Sequence, residues 1–148
     1  MRILFVCTGN TCRSALAEAI ARRMLDEAGR DDIVVESAGT NAWDEAPASD
    51  GSILIGVERG LDLSQHRARR LTAPMIEAAD LVLVMSHEHL ARVRELDSTA
   101  NVYLLGGYGS GAPRAIPDPF GGELDDYRAT ADELEQELKG ILDRIKAT

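Results

Sequence analysis

Four short runs of mostly branched apolar residues, "ILFV" (3–6), "IVVE" (33–36), "LVLVM" (81–85) and "VYLL" (102–105), constrain the fold more than any other feature of this 148-residue chain. Apolar runs of this length, with no polar alternation, are the pattern of strands covered on both faces. Helical spacing separates them. Leu16, Ile20 and Met24 recur every four residues in a stripe that ends at Gly29. Residues 50–59 predict a second helix with Ile53 and Val57 on one face, and "HEHLARVREL" (87–96) aligns Leu90, Val93 and Leu96. In the last segment Tyr127, Leu134, Leu138, Ile141 and Ile145 share a stripe opposite Asp, Glu and Lys. The alternation predicts an α/β fold of three layers, a central four-stranded parallel sheet with helices on both faces. No repeat, low-complexity tract or linker interrupts residues 1–148, so a single domain is expected.

The net charge of −9 argues against nucleic acid as a partner, because phosphate backbones repel such a surface. No apolar run approaches the roughly 20 residues that span a bilayer. "MRILFVCTGN" is too short in its apolar part to be a secretory signal. The expectation is therefore a cytoplasmic chain with no membrane association. There its two cysteines are not expected to form a structural disulfide. The basic cluster after His66, Arg67, Arg69 and Arg70 reads as a solvated loop or helix edge.

Two loops follow strands, "SAGTNAWDEAPAS" (37–49) and the Gly/Pro-rich "GGYGSGAPRAIPDPFGGE" (106–123). The second is long enough to suggest function. In an open parallel sheet, ligands bind beyond the carboxyl ends of the strands, so both loops can meet the end of the first strand. At that end stands "VCTGNTCRSA" (6–15), which holds both cysteines. Five residues separate Cys7 from Arg13, enough for a loop whose backbone N–H groups turn inward as an anion cradle. Gly9 is expected to supply the backbone turn. Arg13 can hold two phosphoryl oxygens with its planar fork. The same positive surroundings favour the thiolate of Cys7, to which Ser14 can donate its hydroxyl.

Other chemistries fit less well. No Gly-Lys-Ser/Thr follows the loop, so it is not a Walker A motif, and the glycines at 106, 107, 109 and 111 lack dinucleotide-fingerprint spacing. A zinc site from Cys7, Cys12, His87 and His89 has only loosely suitable spacing; helix capping and exposure account for the two histidines. Inert buried cysteines would explain Cys7 alone but not its place beside Arg13 and Ser14. A non-catalytic phosphoprotein-binding module would need the cradle but not Cys7 and Asp118 together.

"VCTGNTCRS", "SAGT", "ADLVLVM" and the late "DPFGG" together resemble the low-molecular-weight protein tyrosine phosphatase family over essentially the whole chain. The resemblance implies that Cys7 is the nucleophile, passing through a cysteinyl-phosphate, and that Thr8, Gly9, Asn10, Thr11, Cys12, Arg13 and Ser14 bind phosphate. Arg13 is then the transition-state clamp and Asp118 the general acid. Asn10 resembles the residue that holds the loop by bonds to Ser14, Ser37 and His66. The resemblance further implies phosphorylated proteins as substrates and no cofactor or metal; a monomer is the default expectation. The family usually has proline after Arg-Ser, where this chain has Ala15, which predicts a slightly less fixed loop and intact chemistry.

Thr11 bears on the substrate. Tyrosine-specific members usually carry Ile or Leu there, packed on the phenyl ring, whereas threonine with "DPFGG" resembles the branch that removes phosphate from protein arginine. A branched apolar wall would strand the donors of a phosphoguanidinium, and a hydroxyl can satisfy one. Trp43 and Phe120 are expected as pocket walls, which serve arginine planes and phenyl rings alike. Phosphotyrosine is the alternative substrate. Arsenate reduction ranks third, since a thiol relay needs a further cysteine. Cys12 reads either as a packing residue or as a thiol that protects Cys7 through a reversible disulfide.

Overall fold

The computed structural model describes residues 1–145. The order of elements is β1 (Arg2–Cys7), α1 (Arg13–Glu27), β2 (Val34–Gly39), α2 (Asp50–Glu58), α3 (Ala73–Ala78), β3 (Leu81–Val84), α4 (His87–Leu96), β4 (Val102–Leu104) and α5 (Leu124–Arg144). The four strands are parallel in the order β2-β1-β3-β4. Alternate residues of β1 explain why its run is apolar throughout. Ile3, Phe5 and Cys7 face a core with Leu16 and Ile20 of α1 and Leu134, Leu138 and Ile141 of α5. Leu4 and Val6 face the opposite core, with Ile76 of α3 and Val93 of α4. The three-layer expectation therefore matches the molecule.

The chain leaves β1 toward β2 on one side, and β3 joins β1 on the other. Connections thus diverge at the carboxyl ends of β1 and β3, where a crevice forms and ligands bind in such sheets. Both long loops reach this crevice: Asn41 and Trp43 of the first and Asp118 and Phe120 of the second line it beside Cys7. Ile116 is buried, and its N–H donates to the Met85 carbonyl at the end of β3 (2.8 Å). Residues 106–114 are tied to α5 by buried Glu137. Its carboxylate accepts from Gly107 N (3.1 Å) and Ser110 Oγ (3.0 Å) and pairs with Arg114 (2.6 Å).

Two local expectations need correction. Helix α2 turns Ser52, Ile55 and Gly56 inward, while Val57 is 71% exposed and Ile53 only half-buried. Gly56 causes this: a Cβ there would meet Leu63 Cδ1 at 2.6 Å and the Leu61 carbonyl at 2.9 Å, so backbone rather than an apolar side chain makes the contact. Helix α3 has no counterpart in the sequence reading. Its six residues are too few for a periodic signal, and it rests on a Thr72 cap and a proline in its first turn. Among the described residues no helix is long and apolar enough to cross a membrane.

Candidate active site

Cys7 is the last residue of β1 and Arg13 the first of α1, so the five residues between them form a loop capping a helix N-terminus. The turn is made by Asn10, whose φ is +56°, and not by Gly9, which stays out of the left-handed region. Asparagine tolerates that region at a cost of about 1–2 kcal/mol, provided local hydrogen bonds offset it. Asn10 is fully buried and receives several. Its Oδ1 accepts the Arg69 backbone N–H at 2.9 Å. That donor fixes the amide, so Nδ2 points to Ser14 Oγ (2.8 Å) and Ser37 Oγ (2.9 Å). His66 Nε2 donates to the Asn10 carbonyl at 2.6 Å.

The direction of this chain matters for Cys7. The Ser37 hydroxyl donates its hydrogen bond to Glu18 Oε1 (2.5 Å), which leaves its oxygen to accept from Asn10. Ser14 Oγ also accepts from Asn10, so its single proton is free for Cys7 Sγ at 2.9 Å. Cys7 Sγ is thereby the acceptor at the end of the chain, facing the Ser14 hydroxyl.

Arg13 is 95% buried. One nitrogen donates to the Ile116 carbonyl (3.0 Å), another stands 3.6 Å from Asp118 Oδ2, and Nε is buried without a partner among the described residues. A buried guanidinium with an unmatched donor suits an oxyanion. Asp118 is half-exposed, and its Oδ1 accepts from the Phe120 N–H at 3.0 Å, which sets the carboxylate at the mouth. Thr11, Asn41, Trp43, Asp118 and Phe120 wall a pocket of about 350 Å³ that Cys7 and Arg13 also line. Trp43 is 82% and Phe120 69% exposed, so both stand at the rim.

The rest of the loop is clamped by parts of the chain that carry no such signal in the sequence. Gly39 ends β2 so close to the loop that a Cβ would meet the Thr8 carbonyl at 2.4 Å and Asn10 N at 2.8 Å. Asn41 N donates to the Thr8 carbonyl (2.9 Å). The Thr11 carbonyl accepts from Ser49 N (3.0 Å) and Ser52 Oγ (2.9 Å), which ties it to α2. Cys12 Sγ lies 3.1 Å from Ser49 Oγ and 3.6 Å from the Tyr127 hydroxyl, within a small core with Ile55 and Ala131. Arg69 is no mere solvated residue, since its guanidinium also reaches the Ser37 carbonyl (3.3 Å).

His89 is the main correction. It is buried rather than exposed, with Nδ1 2.9 Å from Ser86 Oγ and Nε2 2.8 Å from Thr8 Oγ1. Burial, and next the neighbouring Arg13, lower its pKa from 6.5 to about 4, so the ring is neutral at pH 7. Its one local signal is a serine three residues earlier, the spacing of a capping box. His87 is exposed, as expected. Among the described residues the two cysteines and two histidines do not assemble as a metal-binding group.

The model of the low molecular weight phosphotyrosine protein phosphatase family matches residues 2–148. A protein-arginine-phosphatase of Bacillus subtilis is 37% identical, over 99% of this chain and 97% of its own length. A low molecular weight protein-tyrosine-phosphatase of Streptomyces coelicolor is 34% identical, over 98% and 93%. A solved structure of the YwlE arginine phosphatase, a C7S mutant with a phosphorylated active-site serine, superposes with a TM-score of 0.92 at 36% identity. The match covers 97% of this chain and 95% of that one. With fold, loop and full-length similarity in agreement, the chain belongs to the low molecular weight phosphotyrosine protein phosphatase family.

Proposed function

We propose that this cysteine-dependent protein phosphatase removes the phosphoryl group from phosphoarginine in proteins. The observation that carries the choice of substrate is the Thr11 hydroxyl. It lies in the pocket wall at 3.8 Å from Cys12 Sγ, too far for a strong bond, and makes no other hydrogen bond among the described residues. Asn41 adds an amide to the same wall and Asp118 a carboxyl group, whose carbonyl oxygen still accepts when the acid is protonated. A guanidinium brings several N–H donors and a phenyl ring none, so acceptors at the mouth favour the former. The B. subtilis relative, whose name is that of an arginine phosphatase, supports the same reading.

In the first step Cys7 Sγ attacks phosphorus and the P–N bond breaks as Asp118 gives its proton to the leaving nitrogen, releasing a guanidinium. The amides from Thr8 to Arg13, with the Arg13 fork, take the charge on the three phosphoryl oxygens. In the second step Asp118 accepts a proton from water as it attacks the cysteinyl-phosphate. The S–P bond breaks and phosphate leaves. The Ser14 hydroxyl, aimed at sulfur by Asn10, stabilises the departing thiolate.

The test compares turnover of phosphoarginine and phosphotyrosine by the native chain and by Thr11→Ile, with Cys7→Ser as the inactive control. Thr11→Ile is expected to shift preference toward phosphotyrosine and to suppress phosphoarginine turnover. Unchanged relative rates would refute the role given to Thr11. A native chain that turns over phosphotyrosine alone would restore the tyrosine reading, which the S. coelicolor relative's name favours.

A further inference from the structure

His89 is a buried titratable side chain that no step of the phosphoryl transfer consumes, yet both of its ring nitrogens are engaged. From the first turn of α4 it reaches back 81 residues in sequence to Thr8, the residue directly after the nucleophile. Thr8 is held from two directions, since its carbonyl accepts from Asn41 N and its hydroxyl meets His89 Nε2. Two residues further on, His66 donates to the Asn10 carbonyl. The phosphate loop is therefore gripped by one histidine at its start and by another at its strained turn. Ser86, the cap of α4, fixes the far side of the His89 ring through Nδ1.

We propose that His89 is a positioning residue for phosphoryl transfer: through Thr8 it fixes the start of the phosphate loop beside Cys7 before substrate arrives. This role rests on the Cys7 chemistry and not on the choice between phosphoarginine and phosphotyrosine. A histidine suits the place better than a lysine or arginine would. The charged groups facing the ring are Arg13, Glu88 and Asp118, and a neutral donor–acceptor holds Thr8 without competing with Arg13 for the phosphoryl oxygens. Small displacements of a preorganised site cost about a hundredfold in rate, which sets the scale.

The experiment compares His89→Gln, His89→Asn, His89→Leu, Thr8→Val and the double variant Thr8→Val/His89→Leu. Glutamine puts an amide where Nε2 sits, and asparagine where Nδ1 sits. His89→Gln is expected to keep kcat/KM within about threefold of the native value. His89→Asn and His89→Leu should each lose about tenfold to a hundredfold with both substrates. Thr8→Val should lose as much, and the double variant no more than either single one. Rescue by asparagine but not by glutamine would overturn the proposal, because His89 would then serve only as a cap for α4. Additive losses in the double variant would overturn it too. If His89→Leu does not fold, the glutamine and asparagine variants and Thr8→Val decide alone. Absence of a cysteinyl-phosphate burst in the native chain would overturn the phosphatase reading itself, a failure distinct from that of His89.

Discussion

Acid should destabilise this protein through His89 in a way that a single substitution isolates. The side chain is 1% exposed, and its pKa falls from 6.5 to about 4, chiefly by burial and then by Arg13, against smaller opposing effects of Glu88 and Asp118. The unfolded chain takes up this proton near pH 6.5 and the folded chain only near 4, so between those values the unfolded state binds more protons. Stability from keeping the ring neutral is therefore complete above about pH 6.5 and is lost as pH falls toward 4. With those two pKa values, linkage gives a loss of about 1 kcal/mol at pH 5.5 and about 2–3 kcal/mol at pH 4.5. Urea unfolding of the native chain and of His89→Gln at about pH 7, 5.5 and 4.5 reads this out, because every other titrating group is common to both. Native stability should fall relative to the variant by those amounts, whatever the gap at neutral pH. A gap that stays constant with pH, or a His89 ring that titrates near 6.5 by NMR, would refute the reasoning.

Asp118→Asn should lower turnover of phosphoarginine about 10²–10⁴-fold, and less for an aryl phosphate whose leaving group needs no proton; equal losses on both would remove the general-acid role. Gly39→Ala forces a Cβ against backbone atoms of Thr8 and Asn10, which cannot rotate away as a side chain can. The cost should be about 1–3 kcal/mol, seen as a lower Tm, with a further loss of kcat because the atoms that must move belong to the proposed phosphate loop. An alanine variant with native Tm and kcat would show that β2 does not clamp the loop.

The parts of this molecule that can be read from sequence are those whose cause lies within a few residues. The strand runs announce themselves because residues of β1 are apolar toward both layers, and Cys7, Arg13 and Ser14 share one contiguous loop. Gly9 misleads, because sequence alone assigns a turn to the residue with the freest backbone. The turn belongs instead to Asn10, which takes the strained conformation since four partners satisfy its polar atoms there. The face of α2 is misread for a related reason: Gly56 and Ser52 pack through backbone and hydroxyl and give no hydrophobic stripe.

What is illegible in the sequence follows from how the loop is held. Its partners come from the end of β2 (Ser37, Gly39), the 66–69 segment, the start of α2 (Ser49, Ser52) and the start of α4 (His89). Ser37 and His66 are reached from the sequence only through the family resemblance, whereas Gly39, Arg69, Ser49, Ser52 and His89 have no sequence neighbour that hints at the loop and read as strand, cap or solvated turn. Only the topology gives them a common destination: β1 lies inside the sheet, so the loop after it is surrounded by the carboxyl ends of β2 and β3 and the connections that leave them. A central strand is thus the place where a strained anion cradle can be held from several sides at once. A nucleophile on edge strand β4 would have neighbours on one side alone. The position of Cys7 at the end of β1 is therefore as much a part of the proposed chemistry as the thiol.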